Sequence, residues 1–193
     1  MSAEPVLETP RLVLRTFMAG DEEAMAEVLC DPEVMWFSMG SLAPGEVGAW
    51  LEERVEHEAR HGFGLWAVCL GTTGDVIGYC GLARRPEGAV HPEVELGFRL
   101  ARRRWAQGYA TEAASAVLDH AFTSLGLARV IALVDPANAA SVRVVEKLGM
   151  RYEADVMLPG YDHPDRLYAA SRPPRPGYTP ALPKDGGPGE PLP

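Results

Sequence analysis

Val94-Glu-Leu-Gly-Phe-Arg-Leu-Ala-Arg-Arg-Arg-Trp-Ala-Gln-Gly-Tyr-Ala-Thr-Glu-Ala113 joins an alternating strand, a basic turn, a glycine and the start of a periodic helix. From Tyr109 to Leu125, residues Ala110, Ala113, Ala114, Val117, Leu118, Ala121, Phe122 and Leu125 recur at three- and four-residue steps, and Gly126 stands at the C-cap. A strand, turn and helix in this order aim free backbone N–H groups and the positive end of the helix dipole at one spot. Gly108 lets the backbone approach a bound phosphate, and Arg102, Arg103 and Arg104 concentrate positive charge beside it. As local structure alone, the same glycine starts a helix and the arginines form a solvated turn. Neither Gly-Lys-Ser/Thr after a glycine loop nor Gly-x-Gly-x-x-Gly between a strand and a helix occurs, which speaks against a P-loop or a dinucleotide fold.

Downstream, Arg129 to Val134 is a nearly all-apolar strand suited to the middle of a covered sheet, and Asn138 to Leu148 is a short helix closed by Gly149. Met150 to Met157 and Arg166 to Ser171 form a last hairpin around Pro159-Gly160. Upstream, Arg11 to Phe17 alternates as a first strand, with a helix from Glu22 to Leu29 and another from about Pro44 to His61, ended by Gly62 and Gly64. Leu65 to Leu70 and Val76 to Leu82 flank the turn residues Gly71 to Asp75 as a hairpin. From Pro173 to Pro193 the composition shifts to proline and glycine, which predicts an extended or disordered tail behind one domain spanning 1–172.

With 193 residues, 47% of them hydrophobic, the chain can bury one mixed core. A net charge of -9 argues against coating nucleic acid or an anionic membrane and suits a cationic substrate, although acidity also serves solubility alone. Cys30, Cys69 and Cys80 are odd in number and unpaired in spacing, so buried free thiols are expected rather than disulfides or zinc. His57, His61, His91, His120 and His163 show no ligand spacing, and no metal is expected. No basic leader or long apolar run is present, which predicts a cytoplasmic protein.

Two segments together carry a family resemblance. Trp105-Ala-Gln-Gly-Tyr-Ala-Thr-Glu-Ala113 is similar to the pyrophosphate loop, Gln/Arg-x-x-Gly-x-Gly/Ala, of the GNAT N-acetyltransferases. Asn138-Ala-Ala-Ser-Val-Arg-Val-Val-Glu-Lys-Leu-Gly-Met150 resembles the second half of that family's acetyl-coenzyme A site. The opening Glu8-Thr-Pro-Arg-Leu-Val-Leu-Arg15 is similar to the branch of ribosomal-protein N-terminal acetyltransferases, so the resemblance spans about residues 7 to 171. Two departures stand out: Trp105 where the general pattern has Gln or Arg, and Ala106 where glycine is frequent.

The resemblance implies the GNAT fold of the α/β class. That fold is one mixed, mostly antiparallel sheet of about six or seven strands with helices on both faces and strands splayed at the cofactor. It implies that backbone N–H groups from Trp105 through Gln107, Gly108 and Tyr109 to Ala110 hold the pyrophosphate, with Thr111 assisting. Phe98 and Leu100 would pair with the pantetheine arm as with an added strand. Asn138 would bond the same arm, Ser141 would protonate the coenzyme sulfur, and Lys147 would approach the nucleotide end. Read locally, Asn138 is a helix N-cap, Ser141 a first-turn serine and Lys147 a cation balancing the helix dipole.

The acceptor nitrogen must lose a proton before it attacks. At pH 7 this costs on the order of 1 kcal/mol for an α-amine and about 4.6 for lysine. Glu95 is the candidate base, with Glu93 and His91 in reserve; the plain alternative for Glu95 is a solvent-facing strand position. Trp36, Phe37 and Trp50 border the acceptor side in the family, as pocket lining or as packing. The implied activity is acetyl transfer from acetyl-CoA to a primary amine, of a protein N-terminus or a small molecule, by an enzyme that is a possible homodimer. Acetylation of an aminoglycoside-type polyamine and a non-catalytic acyl-CoA sensor are the alternatives.

Overall fold

Alternate residues of the strand Leu65–Leu70 divide between two cores: Trp66, Val68 and Leu70 join one apolar cluster, and Leu65, Ala67 and Cys69 the other. The two-residue pleat of a strand makes this division, and it means that the sheet is covered on both faces. The computed structural model describes residues 4–85 and 93–172; the reserve base His91 and the tail 173–193 lie outside the described residues.

Eight strands form one sheet: β1 (Pro5–Glu8), β2 (Leu12–Arg15), β3 (Leu65–Leu70), β4 (Val76–Arg84), β5 (Val94–Leu100), β6 (Arg129–Val134), β7 (Arg151–Val156) and β8 (Asp165–Ser171). Four helices accompany them: α1 (Glu22–Leu29), α2 (Val47–His61), α3 (Tyr109–Thr123) and α4 (Ala139–Lys147). The strand order is β1-β2-β3-β4-β5-β6-β8-β7, and all neighbours are antiparallel except β5 with β6. Ala113, Ala114, Val117 and Val145 carry α3 and α4 onto one face, while Met25, Val28, Val47 and Leu51 carry α1 and α2 onto the other.

The sheet exceeds the expected six or seven strands because of β1. This strand is a four-residue edge that opens on Pro5 and is only partly buried, so it has no alternation to find in the sequence. The expected strand Arg11 to Phe17 shortens to Leu12–Arg15: the Arg11 amide is drawn to Glu112, and Phe17 packs in the α1 and α2 cluster. Cys30, Cys69 and Cys80 are free thiols, the last two buried.

A buried ion pair joins the end of β2 to the turn that starts α1. Arg15 Nη1 and Nη2 meet Asp21 Oδ2 and Oδ1 at 2.7 and 2.8 Å, and the Met18 amide donates to the same carboxylate at 2.8 Å. Their side chains are 11% and 4% exposed, so removing one partner leaves an uncompensated buried charge. Asp21→Ala should lower unfolding free energy by roughly 3–5 kcal/mol in equilibrium urea titration, and Arg15→Met in the same chain should restore part of it.

A second polar joint ties the β1–β2 turn to α3. Glu112 accepts from Thr9 Oγ1 at 2.7 Å, from the Arg11 amide at 3.0 Å and from Arg11 Nε at 2.6 Å. Desolvation pushes the Glu112 carboxyl up, but the bonds from Thr9 and Arg11 outweigh it and hold the group below its ordinary value of 4.5. A depressed carboxyl stabilises the fold above its unfolded pKa, and that stabilisation is lost as pH falls through the folded one. Urea midpoints taken from about pH 5 down to about pH 3 should therefore fall less steeply for Glu112→Gln than for the wild type.

Candidate active site

Strands β5 and β6 share a single register pair, Glu95 with Ile131, whereas β4 and β5 pair continuously from Val94 to Leu100. Beyond Glu95 the two parallel strands part. The Ala101 amide donates to Ile77 O of β4 at 2.8 Å, so two-residue alternation turns the backbone groups of Leu100 and Phe98 toward the gap. The Leu100 carbonyl there already accepts from Trp105 Nε1 at 2.8 Å, which leaves its N–H and both backbone groups of Phe98 facing the opening.

The chain next turns through Arg102–Arg104 into the α3 N-terminus. Ala106, with φ of 57°, and Gly108, with φ of 81°, are left-handed. Glycine adopts this conformation freely, while for alanine it costs about 1–2 kcal/mol. The first amide to bond within the helix is Glu112, to Gly108 O at 3.1 Å; among the described residues, the N–H groups of 106–111 have no protein acceptor. These amides and the helix dipole suit an anion.

Two expectations change here. The Trp105 amide is bonded to Arg102 O at 3.1 Å, so the free donors begin at Ala106. Arg102 and Arg103 pair with Glu33 and Glu27, because the turn packs beside α1, and their charge is answered there. The cation at the loop is instead Arg11, which the sequence places in the first strand and in the family-like opening Glu8–Arg15. Its Nη1 donates to Gln107 O at 3.0 Å and its guanidinium lies 4.5 Å from the centre of the Tyr109 ring. A Cβ added at Gly108 would sit 3.4 Å from Arg11 Nη2. The opening Thr9-Pro-Arg11 was the only available signal, since no local pattern links Arg11 to a loop almost a hundred residues on.

On the far side of the gap, Asn138 caps α4: its side chain accepts from the Ser141 amide at 3.0 Å. The local reading of Asn138 is thus realised, with its side-chain NH2 left over. Ser141 is half-buried in the first turn of α4, while Lys147 is exposed in the last turn, at the opposite end of the helix. Thr111 is half-buried in the first turn of α3.

Glu95 is not the solvent-facing residue of the plain alternative. Its side chain is 26% exposed and its Oε2 accepts from Arg85 Nη1 at 2.7 Å. Burial pushes its carboxyl up, with Arg85 pulling the other way. The reserve Glu93 is joined to Arg129 at 2.5 Å, with Glu153 on the same guanidinium. On the Glu95 face lie Tyr79 and Arg99, cross-strand partners, and Trp50 packs 5.4 Å from Tyr79 and 5.6 Å from Phe17. Trp50 is therefore packing that also borders this face, Phe37 is half-buried, and Trp36 is 75% exposed. The same face holds a group that spacing does not reveal: Asp135, His163 and Asp165, with one polar atom of each within 4.8 Å of the others.

The site thus has an unpaired strand edge, an adjoining set of free amides and a half-buried carboxylate. Residues 11–151 match the family described as acetyltransferase (GNAT) domain. YkkB, an uncharacterised protein of Bacillus subtilis, is 35% identical over 158 residues, covering 81% of this chain and 91% of its own. An acetyltransferase structure from Agrobacterium tumefaciens superposes with a TM-score of 0.75 at 29% identity, over 89% of this chain and 97% of that one. A ribosomal-protein alpha-N-acetyltransferase in complex with coenzyme A shares the fold, with a TM-score of 0.73 at 17% identity over 88% and 98% of the two chains. With its sheet, its parted strands and this sequence match over most of its length, the chain belongs to the GNAT family of N-acetyltransferases.

Proposed function

We propose that this enzyme transfers the acetyl group of acetyl-CoA directly to a primary amine, with the thioester arm in the gap between β5 and β6. The observation that carries the reading is the single β5–β6 pair beside the free amides of 106–111. Ala106, Gln107, Gly108, Tyr109, Ala110 and Thr111 would face the pyrophosphate with their amides, and Arg11 would add charge. Phe98 and the Leu100 N–H would complete a strand-like pairing with the amide-bearing arm, as a peptide does at a sheet edge. Asn138 would donate its NH2 to the same arm, and Lys147 is within the helix whose far end could meet the nucleotide.

Acetyl-CoA supplies an activated carbonyl; the chain's residues orient it and move protons. The Phe98 N–H would stabilise negative charge growing on the carbonyl oxygen. Glu95 accepts the proton of the attacking amine, directly or through water, while Arg85 holds its other oxygen in place. Burial moves this carboxyl toward the working pH, which favours a general base. Ser141 has no protein partner for its hydroxyl among the described residues and would protonate the departing thiolate.

The reading is tested by thiol release from acetyl-CoA with peptides beginning Ala, Ser or Met beside aminoglycosides; no release with any amine overturns it. Glu95→Gln and Ser141→Ala should each lower kcat about 100-fold or more while the coenzyme Kd stays within about twofold. In the wild type, kcat should fall with acidification through a pKa above the ordinary glutamate value, since only the deprotonated base works, and Glu95→Gln should lose that limb. Gly108→Val should raise the coenzyme Kd by about tenfold or more, by straining a left-handed position beside Arg11.

A further inference from the structure

The face of the sheet that carries Glu95 also carries charge that acetyl transfer does not use. The pairs Glu95–Ile131, Leu133–Leu167 and Val134–Arg166 set the register of β5, β6 and β8. The pleat then puts Glu95, Leu133, Asp135 and Asp165 on one side, with Asp135 opposite Asp165 at the strand ends. Asp165 is 7% exposed, and its Oδ1 has no hydrogen-bond partner among the described residues.

The neighbouring cation does not answer it. His163 Nε2 meets Asp135 Oδ2 at 2.9 Å and its Nδ1 meets Asp162 Oδ1 at 2.6 Å, so two carboxylates share the one imidazole. Arg85 is bonded to Glu95, and Arg99 Nη1 lies 2.6 Å from Met35 Sδ. A carboxylate this deep without a partner is costly, and a cation brought by a ligand relieves the cost. The β7–β8 connection meets the segment after α1: a Cβ on Gly160 would lie 2.9 Å from Met39 Cε.

We propose that Asp165 and Asp135 bind a second ammonium of the acceptor, which makes the preferred substrate an aliphatic diamine or polyamine. The inference rests on the transfer reading only in placing the reacting nitrogen at Glu95. Leu133 lies between the two ends on the same face and offers an apolar floor for the methylene chain. Four residues of β6 separate the level of Glu95 from that of Asp135, a rise of about 13 Å along the strand.

The experiment is calorimetric binding of a series of α,ω-diaminoalkanes, each against the n-alkylamine of equal length, to the full chain saturated with coenzyme A. At least one diamine should bind about tenfold or more tightly than its monoamine, with the ratio shrinking as salt is raised. In Asp165→Asn the ratio should fall toward one, and Asp135→Asn serves as the second variant if the first does not fold. Equal affinities across the whole wild-type series overturn the proposal, as does an unchanged ratio in a folded Asp165→Asn. Elemental analysis showing a stoichiometric divalent metal in the wild type, lost in Asp165→Asn, also overturns it by giving the carboxylates another ligand. Turnover separates the two readings: tight diamine binding without acetyl transfer sinks the transfer reading alone, and transfer without diamine preference sinks this one alone.

Discussion

The parting of β5 from β6 after Glu95 is the constraint on which the site depends. Inside a covered sheet, backbone groups without partners are expensive, and both strands are flanked by continuous ladders on their other sides. The opening therefore persists because its neighbours hold it and because its ends are tied. Trp105 caps the Leu100 carbonyl on one side, and Asn138 caps α4 on the other. What remains unpaired is a short edge of fixed register, which an extended amide-bearing chain can complete.

The loop into α3 depends on distant parts of the chain as much as on its own residues. Glu112 gathers Thr9 and Arg11 onto the helix start, and Arg11 reaches the Gln107 carbonyl from there. This bond fixes the carbonyl outward from the free amides. The two left-handed residues, Ala106 and Gly108, make the bend possible, and the alanine stores strain that glycine would not. The turn between β1 and β2 thus contributes a cation to the loop.

The two faces of the sheet divide the labour. Under α3 and α4 the core is large and almost wholly apolar, and it positions Phe98, Leu100 and the amide loop. The other face, under α1 and α2, keeps polar groups among its aromatics: Glu95 with Arg85, Tyr79, Arg99, and the carboxylates at the ends of β6 and β8. Burial pushes both Glu95 and Asp165 up, so this face favours ligands that bring positive charge or accept a proton.

Most elements were legible in the residues because their signals are local. The steps of Ala110 to Phe122, the apolar run of β6 and the glycines after α2 and α4 each constrain a few turns of chain, and the structure places the ends of these elements within about three residues. The edge strand β1 escaped because it buries too little to need a pattern. By itself the sequence determined the order of strands and helices, the glycine that turns into α3, and the asparagine that starts α4, since each rests on backbone preferences within a few residues. Only the tertiary structure decided that Arg102 and Arg103 answer Glu33 and Glu27, that Arg11 reaches the loop, that β5 and β6 part, and that Asp135, His163 and Asp165 meet. Those are contacts between segments far apart in the chain, and the physics that selects them is packing of whole faces, which no short window of residues contains.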